Sequence, residues 1–130
     1  MNVLIVSDGA EVETIQTWLK KVEEIDGIHS DATVKDMDEA RNHIGAADIL
    51  IIDIDEGRRQ RFAVNAIFDN TDVVALSNHQ HECMHAKTLK TPMLRLVVDQ
   101  SFGMFRIAMH DFASAPSKAF SANKAPAIAA

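Results

Sequence analysis

The chain contains a single cysteine, Cys83, and no tyrosine at all. One thiol excludes an internal disulfide and fits a reducing compartment, so stability has to come from a packed core. Three prolines and five glycines leave most segments free of backbone breakers. Positive charge is in the minority, with 13 Lys and Arg against 19 Asp and Glu and a formal net charge of −6. No basic cluster runs along any one expected helix, which argues against nucleic-acid binding by this domain, because neutralising phosphates takes a concentrated positive face. No apolar run reaches the length needed to span a bilayer, and no signal-peptide pattern opens the chain. These absences point to a cytoplasmic domain with no membrane association.

What is present is a core. Apolar residues make up 47% of 130 positions and charged residues 25%, which suits one globular domain. The apolar pattern switches repeatedly between two periods. Residues 2–6, a segment within 28–34, and residues 48–53, 73–76 and 93–98 read as short strands rich in Val, Ile and Leu. Helical spacing predicts helices over 10–24, with Val12, Ile15, Leu19 and Val22 inward; over 36–44, capped by Asp36; and over 58–68. Two more are expected over 79–89 and 101–112, the last capped by Ser101. From Ala113 the periodicity dissolves into Ala, Ser, Pro and Lys, so residues 1–113 are read as the folded domain and 114–130 as a flexible linker or disordered tail.

Five strands alternating with helices, most of them apolar on both faces, predict a parallel sheet covered on both sides. The expected fold class is α/β, a flavodoxin-like (βα)5 three-layer α/β/α sandwich with a five-stranded parallel sheet. Working sites in such folds gather at the carboxyl ends of the strands. Here those ends carry Ser7-Asp8, Asp53, Ser77-Asn78 and Asp99, with Asp55 and Glu56 following Asp53 in the run "ILIIDIDEG". A strand delivering a carboxylate to a reactive centre and a strand running out into a solvated turn would both read this way. The position in the fold favours a site.

Those residues resemble the receiver domains of two-component response regulators, over about residues 1–113. The resemblance implies that Asp53 is the phosphoacceptor and that Asp8 and Asp53 hold Mg²⁺ together with the backbone carbonyl of Asp55. It further implies that the Ser77 hydroxyl contacts the phosphoryl group and relays a switch. The partners implied are a sensor histidine kinase or phosphotransfer protein, an effector domain or other protein, and a second copy docked through the last helix. Departures are specific. Ser7 stands where the family has a first acidic residue, Asp99-Gln100 replace a Lys-Pro, and Leu96 replaces an aromatic switch residue. A carboxylate in place of the lysine repels an incoming phosphoryl group. The chain therefore looks like an atypical or degenerate receiver, and a pseudo-receiver acting through partner binding is the alternative.

Other readings compete. A haloacid-dehalogenase-like phosphatase would use Asp53 as nucleophile and Asp55 as acid/base, with Ser77, Lys90 and Asp99 in support, although Glu56-Gly57 depart from its motif. His79, His81, Cys83 and His85 include a pair spaced one helical turn apart, but no fixed zinc signature accompanies them, and a polar helix start is the plainer reading. Asp8 and Ser77 taken singly are ordinary turn and strand-end residues. Arg58, Arg59 and Arg61 read as a solvated helix start or a docking run, Trp18 as core margin, and His110 as a surface residue. Met104 and Ile107 add apolar surface to a last helix already carrying Phe102, Phe105, Met109 and Phe112, which favours an interface. A nucleotide-binding role falls away because "SDGAEVE" lacks the hydroxyl- and glycine-rich loop that cradles phosphate.

Overall fold

The computed structural model describes residues 1–7, 9, 11–78 and 91–114. Its five strands are β1 (Asn2–Val6), β2 (Asp31–Lys35), β3 (Ile49–Asp53), β4 (Asp72–Ser77) and β5 (Leu94–Val98). They form one all-parallel sheet in the order β2-β1-β3-β4-β5, the flavodoxin-like arrangement expected from the alternation of patterns. Central position and composition agree. Ile49, Leu50, Ile51 and Ile52 of β3 are fully buried, as a strand covered on both faces requires. The chain leaves β1 towards one edge and returns across it to β3, so the topological switch lies between β1 and β3.

Four α-helices are described: α1 (Val12–Asp26), α2 (Met37–Ala40), α3 (Gly57–Phe68) and α4 (Phe102–Ser114). Because strand side chains alternate, the sheet feeds two separate cores. Val3, Ile5, Ile49, Ile51, Val74 and Val97 meet α1 and α4 on one face. Leu4, Val6, Leu50, Ile52, Val73 and Ala75 meet α2 and α3 on the other. Each such Val, Leu or Ile side chain contributes about 1.5–3 kcal/mol when taken fully out of water. Trp18 belongs to the first core rather than to its margin: it is buried, with ring centroids 5.1 Å from Phe105 and 6.2 Å from Phe102.

Helix ends follow local chemistry. Gly27 closes α1 in the left-handed region (φ 70°), its N–H donating to the Glu23 carbonyl at 2.9 Å. Asp36 caps α2 as expected, accepting the Glu39 N–H at 2.9 Å. That helix is shorter than its spacing predicts. It ends at Ala40 and passes through turns into a 3₁₀ turn at Ile44–Ala46, because Asn42, His43 and Gly45 are poor helix formers. Ser101 caps α4, accepting the Met104 N–H at 3.2 Å. Strand β2 starts at Asp31, later than its apolar content suggests, and most of it is exposed. It is an edge strand with Asp31 and Lys35 at its ends, and such polarity discourages pairing with another sheet. The expected helix over 79–89 and the tail beyond 114 lie outside the described residues.

Asp26 at the end of α1 and Arg106 on α4 form a two-pronged ion pair, both contacts at 2.9 Å, joining elements 80 residues apart. No helix among the described residues is long and apolar enough to cross a membrane.

Candidate functional site: carboxylates at the carboxyl end of the sheet

Strand β3 runs buried to Ile52 and then delivers Asp53 to the sheet's carboxyl edge. Ile54 beyond it is fully buried and continues the ladder, its N–H donating to the Leu76 carbonyl at 2.9 Å. That anchor fixes the turn. Asp53 Oδ1 accepts the Asp55 N–H at 2.8 Å, the local closure that Asp side chains favour. The Asp55 carboxylate in turn receives two donors from the end of β4. Ser77 Oγ donates to Asp55 Oδ1 at 2.6 Å, and the Asn78 N–H lies 3.0 and 3.2 Å from its two oxygens. Asp55 thereby staples β3 to β4, and the buried Ser77 hydroxyl points at that staple.

Strand β1 contributes Ser7, buried, whose hydroxyl donates to Glu11 Oε2 at 3.1 Å and accepts the Gly9 N–H at 3.1 Å. Gly9 sits at φ 114°, a conformation that favours glycine. Glu11 is thus brought within hydrogen-bonding reach of Asp53. From the other side comes Arg59 of α3, with Nη1 3.7 Å from Asp53 Oδ2 and a side chain only 11% exposed. Burial is the main reason that the Asp53 pKa is raised above the ordinary carboxylate value. The charges of Asp55 and Glu11 and the Glu11 hydrogen bond push the same way, against the Asp55 N–H, which favours the ionised form.

These groups line a cavity of about 110 Å³. Glu11, Asp53, Asp55, Ser77 and Gln100 supply its polar wall, and Trp18, Leu76 and Val97 its apolar one. Asp99 does not belong to that wall. Asp99 and Gln100 take φ values of 52° and 53° in a tight turn closed by the Ser101 N–H on the Val98 carbonyl at 3.1 Å. The turn leaves Asp99 exposed and puts Gln100 on the cavity. Among the described residues, the carboxylates facing Asp53 are therefore Glu11 and Asp55. Leu96, at the switch-residue position, packs half-buried against the α2–α3 core.

Of the expected site residues, the fold brings Asp53, Asp55 and Ser77 together. Asp8 lies outside the described residues, as do Lys90, His79, His81, Cys83 and His85. Three residues of the site are not singled out by the sequence: Glu11 at the start of the first helix, Arg59 within a run that reads as a solvated helix start or a docking run, and Gln100 as a mere replacement. Helical spacing carried a usable signal for two of them. Glu11 precedes the buried Ile15 by four positions, and Arg59 precedes the buried Phe62 and Ala63 by three and four, so both stand on inward faces.

Hard carboxylate oxygens suit Mg²⁺ in kind. Among the described residues, however, no group of three ligating side chains converges for a metal ion, the Asp55 carboxylate oxygens, though not its carbonyl, are engaged by Ser77 and Asn78, and Asp53 Oδ2 faces a guanidinium. The described donors by themselves do not fit the ion. Comparison with known protein families, curated proteins and solved structures finds no match for this chain.

Proposed function

We propose that the chain is a receiver-like regulatory domain, placed in the cytoplasm, that acts by binding partners while its acidic site stays closed to phosphate. Support for the receiver-like part comes from the strand order together with a carboxylate at the end of β3. The observation that carries the closed site is the Asp55 staple. A phosphoryl-accepting site needs a hydroxyl donor turned towards the incoming oxygens and a cation to shield them. Here the Ser77 hydroxyl is given to Asp55, and among the described residues the charges at Asp53 besides Arg59 are two more carboxylates, Asp55 and Glu11.

In this reading the site is a latch. Ser7 and Glu11 hold the end of β1, Asp53 and Asp55 the end of β3, and Ser77 and Asn78 the end of β4. Arg59 ties the latch to α3, so a partner that moves α3 changes the surroundings of Asp53. The staple also bears on the phosphatase reading, since an acid/base Asp55 would have to exchange protons with a substrate rather than hold Ser77 and Asn78.

The second reading keeps Asp53 as phosphoacceptor, with Asp8, Asp53 and Asp55 holding Mg²⁺ and a sensor histidine kinase or phosphotransfer protein as donor. It draws on the opening of the cavity onto Asp53 itself. The exposed Met104 and Ile107 on α4 suit either reading as a homodimer or effector contact. Intact-mass measurement after incubation with acetyl phosphate and Mg²⁺, beside an Asp53→Asn control, separates the two. The closed site gives no adduct; a single phosphoryl adduct lost in the control establishes the phosphoacceptor instead.

A further inference from the structure

The second notable concavity lies away from the carboxylates, on the α2–α3 face. It is an open groove of about 700 Å³ floored by Met37, Ile44 and Phe62 and rimmed by Arg41, Arg58 and Arg61. The sequence shows the run Arg58, Arg59 and Arg61 but not its junction with Arg41, which is contributed by the turn after α2 while Arg58 and Arg61 come from the first two turns of α3. The packing of α2 and α3 over the same half of the sheet puts the three guanidiniums on one groove. A single lining carboxylate, Asp69, opposes them, in a chain whose net charge is −6. Arg58 is held by Asp38 at 2.9 Å. Arg41 and Arg61 are exposed and make no ion pair among the described residues.

We infer that this groove docks an acidic amphipathic segment of a partner protein, apolar side chains on the floor and carboxylates against Arg41 and Arg61. Charge complementarity selects the occupant. Two exposed guanidiniums with no ion pair among the described residues, beside an apolar floor, match a helix with one apolar and one acidic face. The chain's own residues beyond 114 are a poor fit, since they include Lys118 and Lys124 and no Asp or Glu. Phe68, on the last turn of the same helix, is 80% exposed and adds apolar surface to α3. Arg59, on the same first turn of α3, reaches inward to Asp53, so one helix carries both the docking rim and a contact of the acidic latch. The inference rests on the reading of the domain as a partner-binding module.

The test is a fluorescence-anisotropy titration of the full chain with a labelled helical peptide bearing Leu at every third and fourth position and Glu elsewhere. A Lys-for-Glu peptide and a single-stranded DNA oligonucleotide serve as comparisons. The expected result is saturable binding of the acidic peptide alone. Amide NMR shifts are expected to centre on Met37, Arg41, Ile44 and Arg61, and Arg41→Glu with Arg61→Glu to weaken binding by on the order of tenfold. A milder pair, Arg41→Gln with Arg61→Gln, is expected to fall between, and thermal unfolding of both pairs to match the parent because neither exposed arginine makes an ion pair among the described residues. Equal binding of the oligonucleotide, unchanged affinity in the charge-reversed chain, shifts centred elsewhere, or self-association competing for the same residues would each overturn the inference. A failed titration with no phosphoryl adduct removes the groove and leaves the closed site standing; successful binding with an adduct does the reverse.

Discussion

Replacing Asp55 with alanine removes the staple between β3 and β4. The Ser77 hydroxyl contact at 2.6 Å and the Asn78 N–H contacts at 3.0 and 3.2 Å are lost together. Hydrogen bonds to a charged group contribute about 1.5–3 kcal/mol each when buried, but Asp55 faces solvent, which pulls each towards roughly 1 kcal/mol. Removing a like charge near Asp53 and Glu11 returns a few tenths of a kcal/mol, roughly the worth of one exposed pair. The net expectation is a loss of about 1.5–2 kcal/mol, or roughly 6–8 °C in Tm for a domain of this size. Urea unfolding followed through Trp18, the only tryptophan and one that lines the same cavity, reads this directly. A double-mutant cycle with Ser77→Ala is expected to show coupling of about 1 kcal/mol. An Asp55→Ala chain within about 0.5 kcal/mol of the parent, with no coupling to Ser77, would refute the staple.

Three further outcomes follow from the same geometry. The Asp53 pKa is raised in the fold, chiefly by burial, so its ionisation costs stability as pH climbs from the ordinary value of 3.8 through the raised one. Glu11→Gln removes one of the charges responsible, and is expected to lower the Asp53 pKa by carboxyl NMR and to shrink that loss of stability. Asp26 has the opposite sign: the Arg106 hydrogen bond lowers its pKa, so its contribution is present above 3.8 and fades as pH falls through the lowered value. Asp26→Asn is expected to remove that acid-side loss in urea midpoints, and molar salt to mute the difference. Phe105, fully buried against Trp18, is expected to cost about 3–5 kcal/mol on replacement by alanine, read as a lower urea midpoint with red-shifted Trp18 emission.

The layered fold was legible because β1, β3 and β4 are nearly continuous runs of Val, Ile, Leu and Ala, and α1 and α4 hold their inward residues at helical spacing. The edge strand was harder. "DATVK" buries little, so its register is set by pairing with β1 rather than by its own pattern. The site was half legible. Asp53, Asp55 and Ser77 were placed by strand ends alone, but which atom of each meets which is decided by the turn after β3, where Ile54 anchors the chain and swings the Asp55 side chain to β4. Strand-end position puts Asp99 at the site but says nothing about a following turn. Two successive left-handed residues turn Asp99 out and Gln100 in. Glu11 and Arg59 were not legible because charges near a helix start are ordinarily solvated, and only the packed neighbours of Asp53 turn these two inward.

The most direct test of a site closed to phosphate is an amide NMR titration of the full chain with Mg²⁺ and beryllofluoride, a stable mimic of a carboxyl-bound phosphoryl group. A closed site predicts no change at Asp53, Asp55, Ser77 or Asn78, with Mg²⁺ alone or with both. Saturable shifts at those four residues, abolished by Asp53→Asn, would contradict it and make Asp53 the phosphoacceptor of a working receiver.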